Sequence, residues 1–430
     1  MYNKYICIQK SPYARKDICM SNIKDINLAP SGKMKIDWVE RNMPLCRDIY
    51  EEFGRTKPFR GLKVALAVHM EAKTAFLCMC MKNGGAEMYA TGCNPLSTQD
   101  DVAAAVAAEG IEVFAVRGCT MEEYEANLCK VLEVGPNIII DDGGDLVHLM
   151  HTKYRNLLPG VIGGCEETTT GIHRLKALDR EGKLAFPMVM VNEADCKHMF
   201  DNRYGTGQSV WNAINKNTNL IVAGKNVVVA GYGWCGKGVS MRAKGLGAKV
   251  IVTEVNPVRA LEAHMDGFEV MSMDQAAEIG DVFVSVTGCD NVITPKHFEK
   301  IKDGAILCNA GHFDVEVDVA SLRKMATKTY QARENIEGFV LENGRTLFVI
   351  GEGRLVNLAA GDGHPAEIMD MSFAIQALSA EWLAKHRDEL KPGVVPVPEE
   401  IDRAVAERKL ATLGKKIDIL TDEQKAYLGM

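Results

Sequence analysis

From about residue 60 onward, short runs of β-branched and aliphatic residues alternate with longer stretches of helical pattern, which predicts parallel strands wound with helices. Strands are predicted at Leu62–Val68, Glu87–Thr91, Glu112–Val116, Asn137–Ile140 and Pro187–Val191. Among them lies an Ala-rich helix over Asp100–Glu109, with Ser97 as its cap and Asp100 three residues on, close to a capping box. A second alternation begins near Lys225, with strands at Asn226–Ala230, Lys249–Glu254, Phe268–Met271, Asp281–Val286 and Ala305–Cys308. After Gly353 the pattern becomes a long Met/Ala/Leu helix from His364 to about His386, a Pro-rich bend over Lys391–Pro398 and a charged helical appendage. A chain of 430 residues exceeds what one hydrophobic core organises. The expected fold is therefore α/β, with two doubly wound parallel-sheet domains, the second a Rossmann domain, and a small helical C-terminal appendage.

The segment Gly231-Tyr232-Gly233-Trp234-Cys235-Gly236 follows the apolar strand Asn226–Ala230 and opens a helix over Lys237–Leu246. The first two glycines let the backbone turn and approach a pyrophosphate, and the third lets helix and strand pack closely. The helix N-terminus adds amide donors and a partial positive charge. The next strand ends in Glu254, 18 residues after Gly236, where a carboxylate accepts from the hydroxyls of an adenosine ribose and repels a 2'-phosphate. NAD is expected over NADP, with Arg259, five residues further on, as the residue that qualifies the choice. The plainer alternative is a glycine-rich turn that binds nothing.

Ligands of wound parallel sheets bind beyond the carboxyl ends of the strands. There the chain carries His69-Met70-Glu71-Ala72-Lys73, Cys93-Asn94, Asp141-Asp142-Gly143-Gly144-Asp145 and Asn192-Glu193. Further on come Glu166 to Thr170, then Lys197, Asp201 and Asn202, and in the second unit Asn309-Ala310-Gly311-His312. Each has a structural reading as well. Glu167 and Thr168, Thr169 and Thr170 could cap a helix over Gly171–Glu181, Asp142 could satisfy loop amides, and Lys197 with Asp201 could be an exposed helix pair. His148 and His151 have the spacing of a metal pair but no third ligand, so no metal is expected.

Composition narrows the class of ligand. With 47% hydrophobic and 25% charged residues the chain is an ordinary globular protein. A net charge of -7 without any Lys/Arg run argues against nucleic acid and anionic membranes as partners and points to small molecules. The 13 cysteines are scattered singly, without a C-x-x-C pair, which fits a reducing cytoplasm. Met1 to Met20 is polar and lacks the apolar core of a signal peptide, and no run reaches the roughly 18 apolar residues of a membrane span.

Seven segments together resemble the S-adenosylhomocysteine hydrolase family: NPLSTQD from Asn94, DDGGDL from Asp141, EETTTGIH from Glu166, KHMFDNRY from Lys197, the glycine loop, CNAGHFD from Cys308 and GRLVNLAAGDGHP from Gly353. The resemblance runs over nearly the whole chain from about residue 25. It implies a substrate domain of residues 1–193 and 364–396, interrupted by an NAD domain of residues 194–363, with residues 397–430 as an oligomerisation segment. It also implies a place in the methyl cycle and a chemistry in which NAD oxidises the 3'-hydroxyl of a nucleoside thioether to a ketone. That acidifies the 4'-hydrogen, so homocysteine thiolate leaves C5', water adds, and the ketone is reduced back. By the same resemblance Lys197, held by Asp201, takes the 3'-hydroxyl proton, for which its pKa must be lowered by neighbours and burial. Glu167 binds the ribose hydroxyls, Asp142 and His69 handle the 4' proton and the water, and His312 lies near the departing sulfur. Thr168 to Thr170, Asn202, Thr287, Asn309, Ala310, Gly311, His312 and Asn357 join the glycine loop in binding NAD, and Asn94 and His364 join in binding the substrate.

Three departures from the family pattern carry consequences. Common members have Thr and Glu where this chain has Glu71 and Lys73, positions that read the purine edge. A carboxylate accepts from a 6-amino group, whereas an ammonium donates to a 6-oxo group. S-adenosylhomocysteine is the expected substrate if Glu71 exchanges roles with Lys73 or neutralises it, and S-inosylhomocysteine is the alternative. Thr206 stands where many members have Cys near the nicotinamide. The chain ends at Tyr427-Leu428-Gly429-Met430, without the Lys/Tyr-bearing tail that covers a neighbouring subunit's NAD, so a homo-oligomer, tetramer or dimer, is expected with easier cofactor exchange. Two readings of other classes stay open: a catalytically silent NAD-binding regulator, and a hydroxyacid dehydrogenase with net NADH production.

Overall fold

The computed structural model describes residues 21–430, and the polar stretch before them lies outside that range. Seven strands form the first sheet: β1 Lys63–Ala67, β2 Glu87–Thr91, β3 Glu112–Phe114, β4 Ile138–Asp141, β5 Gly163–Glu166, β6 Pro187–Met190 and, from far along the chain, β15 Gly393–Val395. The second sheet comprises β7 Asn226–Ala230, β8 Lys249–Thr253, β9 Glu269–Val270, β10 Val282–Ser285, β11 Ile306–Asn309, β12 Ala326–Arg333, β13 Ile336–Leu341 and β14 Thr346–Ile350. The spatial orders are β15-β6-β5-β4-β1-β2-β3 and β12-β13-β14-β11-β10-β7-β8-β9.

Central strands such as β1 (KVALA), β4 (IIID) and β7 (NVVVA) are aliphatic at nearly every position because helices cover both faces of each sheet. In both sheets the strand order reverses beside the first strand. β1 pairs with β2 and β4, and β7 pairs with β8 and β10, all in parallel. Beyond the carboxyl ends of those pairs lie crevices, one entered by His69–Lys73 and Asp142, the other by Gly231–Gly236 and Thr287.

The structure departs from the expectations of the sequence in several places. β5, Gly-Gly-Cys-Glu, lacks the β-branched residues that mark a strand, yet is fully buried between β4 and β6. Its glycines are there for space: a Cβ on Gly164 would lie 2.5 Å from the Ile139 carbonyl. The second sheet is mixed, because β12, β13 and β14 form an antiparallel meander and only β14 joins β11 in parallel. β15 arises from the Pro-rich bend and extends the first sheet at β6. Ser97 caps nothing: the helix Asp100–Ala108 is preceded by Gln99 without a side-chain cap. The cap of the helix Thr169–Arg180 is Thr168, also without a side-chain bond.

The helix Ala366–His386 crosses back over the first sheet and is buried for most of its 21 residues, including the polar Asp370, Ser372, Gln376 and Ser379. Buried polar groups are mostly paired, and Asp370, Ser372 and Gln376 have hydrogen-bond partners. Two of these partners are at the active site described next. Among the described residues no helix is long and apolar enough to cross a membrane.

Candidate active site

One cavity of about 870 Å³ joins the carboxyl ends of the two sheets. His69, Glu71, Lys73, Asp142, Glu167, Lys197 and Asp201 line it from the first sheet, and Gly231, Gly233, Trp234, Cys235, Glu254, Arg259 and Thr287 from the second. Thr168, Thr169, Thr170, Asn202, Ala310, Gly311, His312, Asn357 and His364 complete the predicted set that faces it. Asn94, Asn309 and Gly236 do not line it. The Asn94 Oδ1 accepts from Leu96 N at 2.9 Å, and Asn309 accepts from Gly311 N and donates to Phe313 O, both at 2.7 Å, so each shapes a turn.

At the centre stands Lys197, 4% exposed. After it the chain widens into a π-helical stretch, His198–Gly205, whose i→i+5 bonding brings residues four and five ahead over the lysine. Nζ donates to Asn192 Oδ1 at 2.8 Å and Asn202 Oδ1 at 3.0 Å, and lies 3.5 Å from Asp201 Oδ2 and 3.6 Å from Glu167 Oε1. Burial acts to lower its pKa, but the carboxylates of Asp201 and then Glu167 outweigh it and hold the ammonium above the usual lysine range. The chain's own residues thus do not supply the lowered pKa expected of a base. Asp201 is held well below the usual carboxylate range, against burial, by Lys197 and then His364, whose Nδ1 is 2.7 Å away. Burial pushes Glu167 up.

Two residues that the sequence pattern did not single out fix the carboxylates from behind. Ser372 Oγ donates to Asp201 Oδ2 at 2.7 Å and Gln376 Nε2 donates to Glu167 Oε2 at 3.0 Å. They lie one helical turn apart on Ala366–His386, and the signal available for them was two polar residues at i, i+4 within an apolar helix.

At one end of the cavity Glu71 caps the helix Ala72–Asn83, its Oε2 accepting from Lys73 N at 3.0 Å and lying 2.7 Å from Lys73 Nζ. Lys73 Nζ also donates to the Asp362 carbonyl at 2.9 Å. The pair is buried and mutually neutralised, leaving one ammonium proton and one carboxylate oxygen for a ligand.

Asp142 is flanked by two imidazoles, with His69 Nε2 at 3.5 Å and His312 Nδ1 at 3.6 Å, and accepts from the Cys93 thiol at 3.3 Å. His312 packs so closely on Gly143 that a Cβ there would lie 2.4 Å from its Nε2, which only a glycine at φ +105° permits. Burial holds the His69 imidazole down to about 4. The donor atoms of His69, Cys93 and Asp142 lie within 4.8 Å of one another, the grouping among the described residues that could hold a metal. His151, by contrast, is tied to Val147 O and Ala185 N.

The cradle on the second sheet fits a dinucleotide. Gly231 has φ +101°, a Cβ on Gly236 would lie 2.0 Å from Gly231 O, and a Cβ on Gly233 would meet Arg259 Nη1 at 3.8 Å. Glu254 accepts from Tyr232 N, Val255 N and Asn256 N at 2.7–2.9 Å, which fixes a carboxylate beside the loop. Glu316, absent from the predicted set, accepts from Thr287 N and Gly288 N at 2.9 and 2.8 Å and holds the opposite lip. The buried Asn357 Oδ1 has no partner among the described residues, an acceptor available to a carboxamide.

A dinucleotide cradle and a buried Lys/Asp/Glu cluster sharing one cavity define a two-domain, NAD-dependent enzyme. The family model described as S-adenosyl-L-homocysteine hydrolase matches residues 20–156, and that of its NAD binding domain matches residues 202–363. The chain is 56% identical over 409 residues to an S-inosyl-L-homocysteine hydrolase of Methanocaldococcus jannaschii, covering 95% of this chain and 98% of that protein. It is 55% identical to an adenosylhomocysteinase of Thermococcus kodakarensis (96% and 97% covered) and 53% identical to one of Aquifex aeolicus (95% and 98%). The chain belongs to the S-adenosyl-L-homocysteine hydrolase family. It is a hydrolase that uses NAD as its cofactor and acts on a small-molecule nucleoside.

Proposed function

We propose that the chain hydrolyses S-adenosyl-L-homocysteine reversibly to adenosine and L-homocysteine. The observation that carries this reading is the single cavity in which Lys197, Asp201 and Glu167 face the dinucleotide cradle. Bound NAD supplies a hydride acceptor for the 3' carbon and, when oxidised, a positively charged ring. Lys197 is the group that takes the 3'-hydroxyl proton, and the positive charge of NAD, held by the glycine loop, would oppose the ammonium and so favour its loss of a proton. Asn192 and Asn202 keep Nζ aimed, and Glu167, steadied by Gln376, accepts from the ribose hydroxyls. His69 and Asp142 move the 4' proton, and His312 faces the sulfur.

The second reading, S-inosyl-L-homocysteine, is favoured by the buried Lys73 ammonium, a donor for a 6-oxo group. The Glu71–Lys73 pair presents one donor and one acceptor, which match the 6-amino/N1 edge of adenine in one order and the 6-oxo/N1–H edge of hypoxanthine in the other. Purified enzyme offered both thioethers side by side decides. A higher kcat/KM for the adenosyl compound is expected, a preference for the inosyl compound installs the second reading, and equal values dispose of purine discrimination by this pair.

The same proposal assigns residues 1–193 and 364–396 to the substrate domain, 194–363 to the NAD domain and 397–430 to oligomerisation. Exposed Ile417, Ile419, Leu420, Tyr427 and Leu428 in the last segment support a homo-oligomer, tetramer or dimer. Free cysteines throughout the described residues support a cytoplasmic setting.

A further inference from the structure

Ser97, predicted as a helix cap, is buried with its hydroxyl 2.7 Å from His69 Nδ1. The direction of that bond follows from a count of protons. Asn94 O accepts from Ser97 N at 3.2 Å and from Ser97 Oγ at 3.1 Å, closing the turn after β2. A serine hydroxyl has one proton and two lone pairs, so an Oγ that donates to Asn94 O meets His69 as an acceptor. The His69 ring must then carry its proton on Nδ1. Burial keeps the imidazole neutral at ordinary pH, so Nε2 is left with a lone pair.

The surroundings of Nε2 agree. Its neighbour Asp142 Oδ2 is 3.5 Å away, beyond hydrogen-bond reach, and already accepts the Cys93 thiol proton at 3.3 Å. His312 approaches from the second sheet with its ring centre 5.9 Å from that of His69. A proton on His69 Nε2 would be drawn electrostatically towards the Asp142 carboxylate, and the Ser97 hydroxyl is the group that opposes that arrangement.

We propose that Ser97 is a positioning residue for the elimination step, holding His69 in the Nδ1–H tautomer so that Nε2 faces the ribose as a proton acceptor. The proposal rests on the reading of His69 as the group that moves the 4' proton. In the step it serves, the C4'–H bond breaks and the proton goes to Nε2. The electron pair stays on carbon, delocalised into the 3' ketone, and then expels homocysteine thiolate as the C5'–S bond breaks. Asp142, next to the resulting imidazolium, stabilises its charge. Loss of the Ser97 hydroxyl frees the proton to move to Nε2, where it pairs with Asp142 and removes the acceptor. Oxidation at C3', which uses Lys197, precedes this step and does not involve His69.

The test separates the two steps in the NAD-loaded enzyme mixed with adenosine. NADH absorbance reports 3' oxidation, and deuterium uptake from solvent at C4' reports proton abstraction. For Ser97→Ala the expected result is NADH formation within about twofold of wild type and C4' exchange slowed on the order of tenfold or more. Ser97→Thr, which keeps the hydroxyl, restores exchange. NMR of enzyme labelled with 15N-histidine, with the His69 signals identified by their loss in His69→Gln, reads the tautomer directly: a bare Nε2 in wild type and a protonated Nε2 in Ser97→Ala are expected. A protonated Nε2 in wild type, or exchange and oxidation falling together in Ser97→Ala, overturns the proposal. Undiminished C4' exchange in His69→Gln would instead remove the role of His69 itself, while the NMR result still judges what Ser97 does to the ring.

Discussion

Ser372 Oγ donates to Asp201 Oδ2 across 2.7 Å, although the two residues are 171 positions apart in the chain. The bond ties the carboxylate beside Lys197 to a helix that belongs to the core of the first sheet, so the charge pair sits on a rigid support. Hydrogen bonds to buried charged groups contribute about 2 kcal/mol each. Ser372→Ala is expected to lower kcat roughly tenfold with little change in KM and to reduce stability by about 2 kcal/mol, read by steady-state kinetics and denaturant unfolding. Wild-type kcat in this variant would show that Asp201 needs no support from the helix.

Lys197→Ala should abolish 3' oxidation while the cofactor stays bound, because among the described residues the hydrogen-bond and ion-pair partners of Nζ are Asn192, Asn202, Asp201 and Glu167, outside the glycine loop. Single-turnover NADH absorbance and the NAD content of the purified variant measure the two halves separately. Normal turnover would remove Lys197 from its assigned place.

Gly236→Ala puts a Cβ 2.0 Å from the Gly231 carbonyl, a clash with backbone that cannot swing away. The expected result is protein purified without NAD and with lowered thermal stability. Gly245→Ala, at the far end of the same helix and with nothing within 4 Å, is the control and should be neutral or stabilising by up to about 1 kcal/mol. Retention of full NAD content by Gly236→Ala would contradict the packing role of the third glycine.

The His69 imidazole, held down to about 4 chiefly by burial, gives stability a defined pH dependence. Its folded pKa lies below the unfolded value near 6.5, so below that value the unfolded chain binds the proton more readily. The stability associated with the neutral ring is fully present above pH 6.5 and is lost as pH falls through 4. The size is about 3 to 4 kcal/mol, from a fall from 6.5 to about 4. Urea unfolding of wild type and His69→Asn at pH 7.5 and 4.5 should show a steeper acid loss in wild type. Parallel losses in the two proteins would mean that His69 does not titrate in this window.

Some parts of this protein were written in local sequence. β2 and β7 begin and end where the alternation of residues predicts, and the glycine segment follows its strand as expected, although the helix starts at Trp234, inside the segment, and not at Lys237. Such features follow from periodicity and from residues whose backbone freedom is special, which depend on near neighbours alone. The strand-end residues were legible for the same reason, because in a wound sheet position in the chain implies position in the crevice.

What local sequence left open depended on contacts between distant segments. β5 is a strand because β4 and β6 enclose it, and β15 because β6 offers it an edge. The Glu71–Lys73 pair could have discriminated or neutralised, and only the folded chain brought Asp362 O to Lys73 and closed the ion pair. The charge state of Lys197 was likewise a tertiary matter: burial and the surrounding carboxylates compete over the same proton, and their balance depends on distances that no sequence spacing contains.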